Sequence, residues 1–258
     1  MLIEIKDKKK KDTFISIFHI LKNSSLQINA TFNNNLCHIQ GMDKSHVCLF
    51  DLILKDKWFN LFNVSNTINL SFDSNMFYSI ISTKSDEQNL IITKNENDDF
   101  LSIELTTNGS KKCDYDKYFK IQLIEYDYEE MNIPQTNYDA ELSLPSKKVN
   151  DMLLQLGNFG NDLNIICTDE CVDFKTKGTS GEMRVNIPID DMNSYSVLQD
   201  EAVNLTYSLQ YITKMCITNK LSTDINFNLS NECPMKINYD LGDDSLLTFY
   251  IASKISDD

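Results

Sequence analysis

Glycine and proline are both scarce in this chain of 258 residues, at 7 and 4. Scarce glycine argues against folds built on many glycine turns and against loops that cradle phosphates with backbone amides. Two short stretches hold closely spaced glycines, Gly157-Asn158-Phe159-Gly160 and Gly178-Thr179-Ser180-Gly181. Neither has the lysine or the spacing of a phosphate loop; they read as a helix-end turn and a hairpin. Histidine is rarer still. His19, His38 and His46 stand apart with no metal-ligand spacing, and no Ser-His-Asp or Cys-His context surrounds them. The 7 cysteines form an odd set without paired spacing. The nearest two, Cys167 and Cys171, fit neighbouring strand positions better than a metal site, which needs a second Cys or His pair. Buried, reduced thiols are expected. No apolar run approaches membrane-spanning length, and Met1-Leu2-Ile3-Glu4-Ile5-Lys6-Asp7-Lys8 has no apolar core of a signal peptide. The acid pairs Asp190-Asp191, Asp243-Asp244 and Asp257-Asp258 read as solvated turn residues rather than metal or acid–base carboxylates. No catalytic residue, cofactor or metal is assigned, and a non-enzymatic, membrane-free role is expected.

Positive charge is also in short supply. Lys and Arg total 24 against 38 Asp and Glu, a net charge of -14. Such a chain is repelled by nucleic acid unless its cations are gathered on one face. Hydrophobic residues make up 41%, enough for a full core. The length suits one large domain or two of roughly 120 to 130 residues.

Most of what remains reads as short strands. Leu26 to Phe32, Leu36 to Gln40, His46 to Leu54, Leu90 to Lys94 and Phe100 to Thr106 mix apolar and polar positions over strand lengths. The second half adds Ala140 to Leu144, Leu163 to Cys167, Val172 to Thr176, Met183 to Ile187, Ala202 to Tyr207, Asp224 to Leu229, Met235 to Tyr239 and Leu246 to Ala252. Four segments break the pattern with helical spacing: Phe14-Ile17-Phe18-Leu21, Met76-Phe77-Ile80-Ile81, Val149-Met152-Leu153-Leu156 and Leu209-Ile212-Met215-Cys216. Asp73 and Ser146 are candidate N-caps. The helices begin near Lys11, Asp73, Ser146 and Ser208, so the second pair repeats the first, and one supersecondary plan used twice is expected. A single irregular α+β domain is the alternative. Between the halves, Gln122 to Asn137 carries Glu125, Asp127, Glu129, Glu130 and Pro134 and reads as an acidic surface connector.

The helix faces opposite the apolar stripes are polar but seldom acidic. They carry Ser16, His19, Lys22 and Asn23; Asn75, Ser79 and Ser82; Lys147, Lys148, Asn150 and Gln155, with Asp151 the exception; and Gln210, Thr213 and Lys214. Acidic residues concentrate in strands, turns and the connector, so charge is expected to be segregated.

One octapeptide carries a resemblance. Met42-Asp43-Lys44-Ser45-His46-Val47-Cys48-Leu49 resembles the Met-Asp-x-Ser-His-Val-x-Leu segment of the proliferating cell nuclear antigen family. Four more segments follow in register: Asn132-Ile133-Pro134 with Tyr138, Leu144-Pro145-Ser146, Leu205-Thr206-Tyr207-Ser208-Leu209-Gln210-Tyr211, and Phe249-Tyr250-Ile251-Ala252-Ser253-Lys254-Ile255. The resemblance implies an α+β DNA clamp fold. Its two similar domains, each with antiparallel sheets outside and two helices inside, would span residues 1–121 and 138–258, joined by a connector at 122–137. Three chains would close a ring around duplex DNA, serving replication and repair as a polymerase processivity factor in the nucleus or at a cytoplasmic viral replication site.

By the same resemblance, the DNA-facing residues are Lys9, Lys10, Lys11, Lys22, Lys84, Lys147, Lys148, Lys214 and Lys220. Several positions basic in typical members read Ser79, Ser82, Asp151, Leu154, Gln210 and Ile217 here, so weaker DNA contact is expected. The strand around Asp116 to Ile121, with Tyr118, Phe119 and Ile121, is implied to pair with the strand holding Met183 and Val185 in the next chain. The polymerase, the clamp loader and other proteins are implied to dock a peptide with a glutamine and two aromatic anchors. The matching positions are Met42, His46, Val47, Leu49, Met131, Ile133, Pro134, Tyr138, Pro234, Tyr250, Ala252, Lys254 and Ile255. Ser253 stands where the family usually has proline, and Asp169 where it carries the lysine used for ubiquitin attachment. A checkpoint-type subunit of a heterotrimer, or a clamp-fold scaffold that does not encircle DNA, shares these features.

Overall fold

In a computed structural model, which describes residues 1–107, 115–125, 128–134, 136–198 and 203–254, the chain runs as follows. β1 (Leu2–Ile5) leads into α1 (Lys8–Ser24), then β2 (Gln27–Phe32), β3 (Leu36–Met42), β4 (Cys48–Lys55), β5 (Leu61–Asn63) and β6 (Ile68–Asp73). After α2 (Ser74–Ile81) come β7 (Gln88–Thr93), β8 (Phe100–Thr107) and β9 (Lys117–Gln122). The sequence then repeats that order: β10 (Ala140–Pro145), α3 (Ser146–Leu156), β11 (Asp162–Cys167), β12 (Cys171–Gly178), β13 (Gly181–Pro188), β14 (Ser194–Val197), β15 (Val203–Ser208), α4 (Leu209–Met215), β16 (Asp224–Leu229), β17 (Met235–Gly242) and β18 (Ser245–Ile251).

The chain divides into two compact units. The first holds Met1–Lys44, Phe50–Met131 and Leu241–Leu247; the second holds Ser45–Leu49, Asn132–Asp240 and Thr248–Asp258. In the first, strands run in the orders β5-β1-β7-β8-β9 and β6-β2-β3-β4; in the second, β14-β10-β16-β17-β18 and β15-β11-β12-β13. Each strand of one half has a counterpart in the other, so one topological plan is used twice and the fold is α+β. The pairs are antiparallel, as in β7 with β8 and β11 with β12.

The helical spacing places the core. Phe14, Ile17, Phe18 and Leu21 on α1 are all buried. Phe18 meets Phe77 of α2 with ring centroids 4.5 Å apart, and Phe77 meets Phe72 of β6 at 4.8 Å. In the second unit Val149, Met152, Leu153 and Leu156 of α3 are buried, as are Leu209, Ile212 and Met215 of α4. The Asn150 side chain on α3 donates to the Cys216 carbonyl at the end of α4, 2.8 Å away. Period-2 burial along β4 and β11 matches half-buried strands.

Helix ends differ in detail from expectation. Asp7 caps α1, accepting the Lys10 amide at 2.8 Å, and Asp73 caps α2 through the Met76 amide at 2.7 Å. Ser146 does not cap α3. Pro145 occupies that position without a side-chain cap, and Ser146 is the first helical residue, its hydroxyl donating to the Ser222 carbonyl at 2.7 Å. Proline fixes the extended φ that a cap position needs, which displaces the serine by one.

Three turns stand out by their backbone geometry. His46 (φ 56°) adopts the left-handed conformation in the loop before β4. Asp243 and Asp244 (φ 53° and 56°) form the tight turn between β17 and β18. These two aspartates are ion-paired, with Lys10 and Lys57 at 2.6 Å each, rather than merely solvated. Between β12 and β13, Gly178 and Gly181 face each other across Thr179-Ser180, the hairpin read from sequence.

Candidate functional site

Lysine opens two of the helices. α1 starts Lys8-Lys9-Lys10-Lys11 and α3 starts Ser146-Lys147-Lys148, with no acidic residue in either first turn. Cations there oppose the positive end of the helix dipole, at a cost of about 0.3–1 kcal/mol each. A position unfavourable for the isolated helix suits an anion held outside it.

The fate of each lysine depends on its angle around the helix. Lys9, Lys147, Lys148 and Lys220 are exposed. Lys22 lies 4.3 Å over the Tyr78 ring, which also stacks on His19 at 5.2 Å. Burial first, and Lys22 second, hold the His19 imidazole below its ordinary pKa, so it is neutral at neutral pH. Lys214 lies 5.6 Å over Tyr211. Lys10 is partly withdrawn, paired with Asp243 and 5.6 Å over Trp58.

Two expected DNA-facing lysines are not on a solvent face. Lys11 is 2% exposed, and its ammonium donates to the Gln88 carbonyl at 2.6 Å and the Asp86 carbonyl at 3.1 Å. Burial lowers its pKa. Lys84 has a side chain 6% exposed and pairs with Asp12 at 2.9 Å. Ser16, expected on the polar face of α1, is buried and donates back to the Asp12 carbonyl at 2.8 Å. The residues expected in place of lysines are open to solvent: Ser79, Ser82, Asp151, Leu154, Gln210 and Ile217 are all exposed.

Among the described residues, β9 and β13 each stand at the end of a sheet, with a strand neighbour on one side only. On β9, Tyr118 is 67% exposed and Phe119 half-buried, but Ile121 faces the core at 4%. Alternation along the strand sends Ile121 inward, so its side chain is not an exposed contact. On β13, Met183 and Val185 are half-buried. Between them Arg184 grips Asp173 of β12 with Nε–Oδ1 and Nη2–Oδ2 distances of 2.8 Å each; Asn186 donates at 2.9 Å. This holds the Asp173 carboxyl down at about 2.

The positions matched to peptide binding fall in both units. In the second, the Ala252 amide donates to the Val47 carbonyl at 3.0 Å and the Lys254 amide to the Thr206 carbonyl at 2.7 Å. These bonds draw the segment after β18 beside the His46-Val47 turn and the end of β15. The Lys254 ammonium pairs with Asp162. Tyr138 is half-buried and hydrogen-bonds Thr136 and Cys233, next to Pro234; burial raises its pKa. Leu49, Ile133 and Tyr250 are half-buried, while His46, Pro134, Pro234 and Ala252 are exposed. Ile255 lies outside the described residues. In the first unit Met42 and Met131 are half-buried.

Sequence reasoning missed what holds Met131. The Gln40 side chain on β3 accepts the Met131 amide at 2.7 Å and the Tyr128 hydroxyl at 2.5 Å, and donates to the Met131 carbonyl at 3.1 Å. Two residues earlier, His38 lies 2.7 Å from Asp51 of β4 and 3.3 Å from Glu130. No local pattern marks the connector partners, which are about ninety positions away.

Among the described residues no group of three or more His, Cys, Asp or Glu side chains is arranged to hold a metal. Among the described residues, Cys37, Cys48, Cys167 and Cys216 are buried thiols and Cys171 and Cys233 half-buried ones, none of them in a disulfide. Burial raises the Cys167 and Cys216 thiols to about 12.

Comparison with known proteins gives a consistent result over most of the chain. A family model described as proliferating cell nuclear antigen, N-terminal domain, matches residues 5–130, and its C-terminal domain counterpart matches residues 132–254. A curated proliferating cell nuclear antigen of Chaetomium thermophilum is 28% identical over 231 residues, covering 88% of each chain. Proliferating cell nuclear antigen 2 of Plasmodium falciparum is 26% identical over 254 residues, covering 95% of this chain and 96% of its own.

Proposed function

The chain belongs to the proliferating cell nuclear antigen family, and from that premise we propose that it works as a sliding clamp closed from three copies around duplex DNA. The observation that carries this reading is the doubled plan of strands and helices, matched half by half by the two domain models. A closed ring retains DNA by topology, so its inner surface needs only weak, sequence-independent phosphate contact. Exposed Lys9, Lys147, Lys148 and Lys220 supply it, together with the half-buried Lys22 and Lys214. The sites of Lys11 and Lys84 do not, because their charges are satisfied inside the first unit. DNA contact is therefore lighter than the lysine content of the sequence implies.

Ring closure uses head-to-tail pairing, β9 of one copy adding to β13 of the next, since both end their sheets among the described residues. The protein recruits the polymerase, the clamp loader and other partners through a peptide with a glutamine and two aromatic anchors. Each unit offers half-buried apolar residues for this, Met42 and Met131 in the first and Ile133, Tyr138 and Tyr250 in the second, where the backbone near Ala252 and Lys254 adds hydrogen-bonding groups. The protein acts in the nucleus, or at a cytoplasmic replication site if its genome is viral. It carries out no chemistry of its own.

The test is mass in solution joined to a processivity assay. A species of three times the monomer mass that lengthens polymerase products on primed circular DNA, only when a loader is present, is the expected result. A monomer at micromolar concentration, or no effect on product length with a competent loader, refutes it. Formation of trimers only with a second, different clamp chain points instead to a heterotrimeric checkpoint-type subunit.

A further inference from the structure

We propose that Gln40 and His38 form a two-point clamp that fixes connector residues Tyr128 to Met131, and that the His38 point engages only when its imidazole is protonated. The inference rests on the reading of Met131 as part of the peptide-binding surface, and deepens it by assigning positioning residues.

The Gln40 point is independent of pH. Gln40 is 4% exposed. One amide group takes both hydrogen-bonding groups of Met131, as a strand neighbour does, and its oxygen also receives the Tyr128 hydroxyl. The amide nitrogen reaches Asp51 at 3.4 Å as well. A buried side chain with donors and acceptor so used cannot turn without stranding several partners. The isolated bridge between Ser71 and Ile124 anchors the start of the same segment on β6.

The His38 point is conditional. Its Nε2 faces Asp51 Oδ1 at 2.7 Å and its Nδ1 faces Glu130 Oε1 at 3.3 Å. Both neighbours are acceptors, so holding both needs two ring protons, which only the imidazolium has. A neutral ring keeps one. The shorter contact, to the less exposed carboxylate (17% for Asp51, 68% for Glu130), retains it. Nδ1 then presents a lone pair to the Glu130 carboxylate, and that link opens. Among the described residues, the charged groups facing His38 are Asp51 from β4 and Glu130 from the connector. From β2 the residue opposite in register is Thr31, which does not titrate in this range.

The hydrogen bond and charge of Asp51, aided by Glu130, hold the imidazole above its ordinary 6.5. The clamp is thus closed below that value and loses its His38 point as pH rises through the raised pKa. Because Glu130 is largely exposed, the change is modest, about two- to five-fold in the opening equilibrium of residues 130–131. Loss of the Gln40 point is larger, about ten-fold or more.

Hydrogen exchange of the full-length protein at pH 6 and pH 8, corrected for intrinsic rates, tests the clamp directly. Protection at 130–131 is expected to fall from pH 6 to pH 8. Glu130→Gln, at a side chain 68% exposed, removes that difference, as does His38→Asn. Gln40→Met lowers protection at both pH values. A synthetic peptide with one glutamine and two aromatic residues, titrated in parallel, is expected to bind more weakly to Gln40→Met. Protection independent of pH in the wild type and unchanged in Glu130→Gln and Gln40→Met overturns the clamp. If that peptide fails to bind at either pH while protection follows the pattern above, the peptide-binding reading fails and the clamp stands. If the peptide binds and neither protection nor affinity responds, the clamp fails and the peptide-binding reading stands.

Discussion

Replacing Asp173 by Asn isolates one charge at the rim of the second unit. Among the described residues β13 has a strand neighbour on one side only, and its own residues are exposed or half-buried throughout. Side-chain ties to β12 therefore matter more there than in a central strand. The strongest runs from Asp173, whose side chain is 9% exposed, to Arg184, 58% exposed. Two 2.8 Å bonds form a planar fork, and Asn186 and Lys175 add contacts at 2.9 and 3.3 Å. A carboxyl held at about 2 rather than 3.8 corresponds to about 2 kcal/mol of charged-state stabilisation. Solvent on the Arg184 side screens this, leaving about 1–1.5 kcal/mol for the folded chain. Asp173→Asn keeps the shape and loses the charge, so urea unfolding at pH 7 is expected to show that loss with an unchanged m-value. The sign with pH follows from a depressed carboxyl. Its contribution is whole above the ordinary value and fades as pH falls toward about 2. The gap in melting temperature between wild type and Asp173→Asn should therefore narrow as pH is lowered from 5 through 4 to 3. Equal stability at pH 7, or a gap indifferent to pH, refutes the reasoning.

Other outcomes follow from the same structure. Lys147→Ala with Lys148→Ala is expected to raise thermal stability slightly, by about 0.3–1 kcal/mol per lysine removed from the wrong end of the α3 dipole. The same change should weaken DNA binding and flatten its salt dependence by about 0.9 for each phosphate no longer engaged, measured by salt titration. Gly41→Ala puts a methyl 2.4 Å from the tip of Phe50, a ring only 1% exposed and closely packed. A loss of about 1–3 kcal/mol in urea unfolding is expected. Tyr118→Ala, at a 67% exposed position, should leave monomer unfolding within about 0.5 kcal/mol. Native mass measurement should nonetheless show fewer trimers if β9 closes the ring.

Periodicity makes the helices and most strands legible, because each has one buried face and the spacing of that face is local. Phe14-Ile17-Phe18-Leu21 and Val149-Met152-Leu153-Leu156 lie buried where their spacing predicts. The short strands β1, β5 and β14, of 4, 3 and 4 residues, are not legible, because so few residues carry no period. The burial of Lys11 does have a local sign: it stands three residues before Phe14 and seven before Phe18, on the apolar stripe itself. Lys84 offers no such sign, since its burial depends on Asp12 of another element.

The amino-acid order alone determined the doubled plan, the helix stripes, the poverty of metal and nucleophile patterns and the family. All of these depend on spacing along the chain or on short motifs in register. Only the tertiary structure decided which lysines remain open to a phosphate, which strands end their sheets, and how Gln40 and His38 hold Met131 and Glu130. Those properties depend on partners brought together from distant positions, and side-chain burial and hydrogen bonding are set by the neighbours that folding supplies.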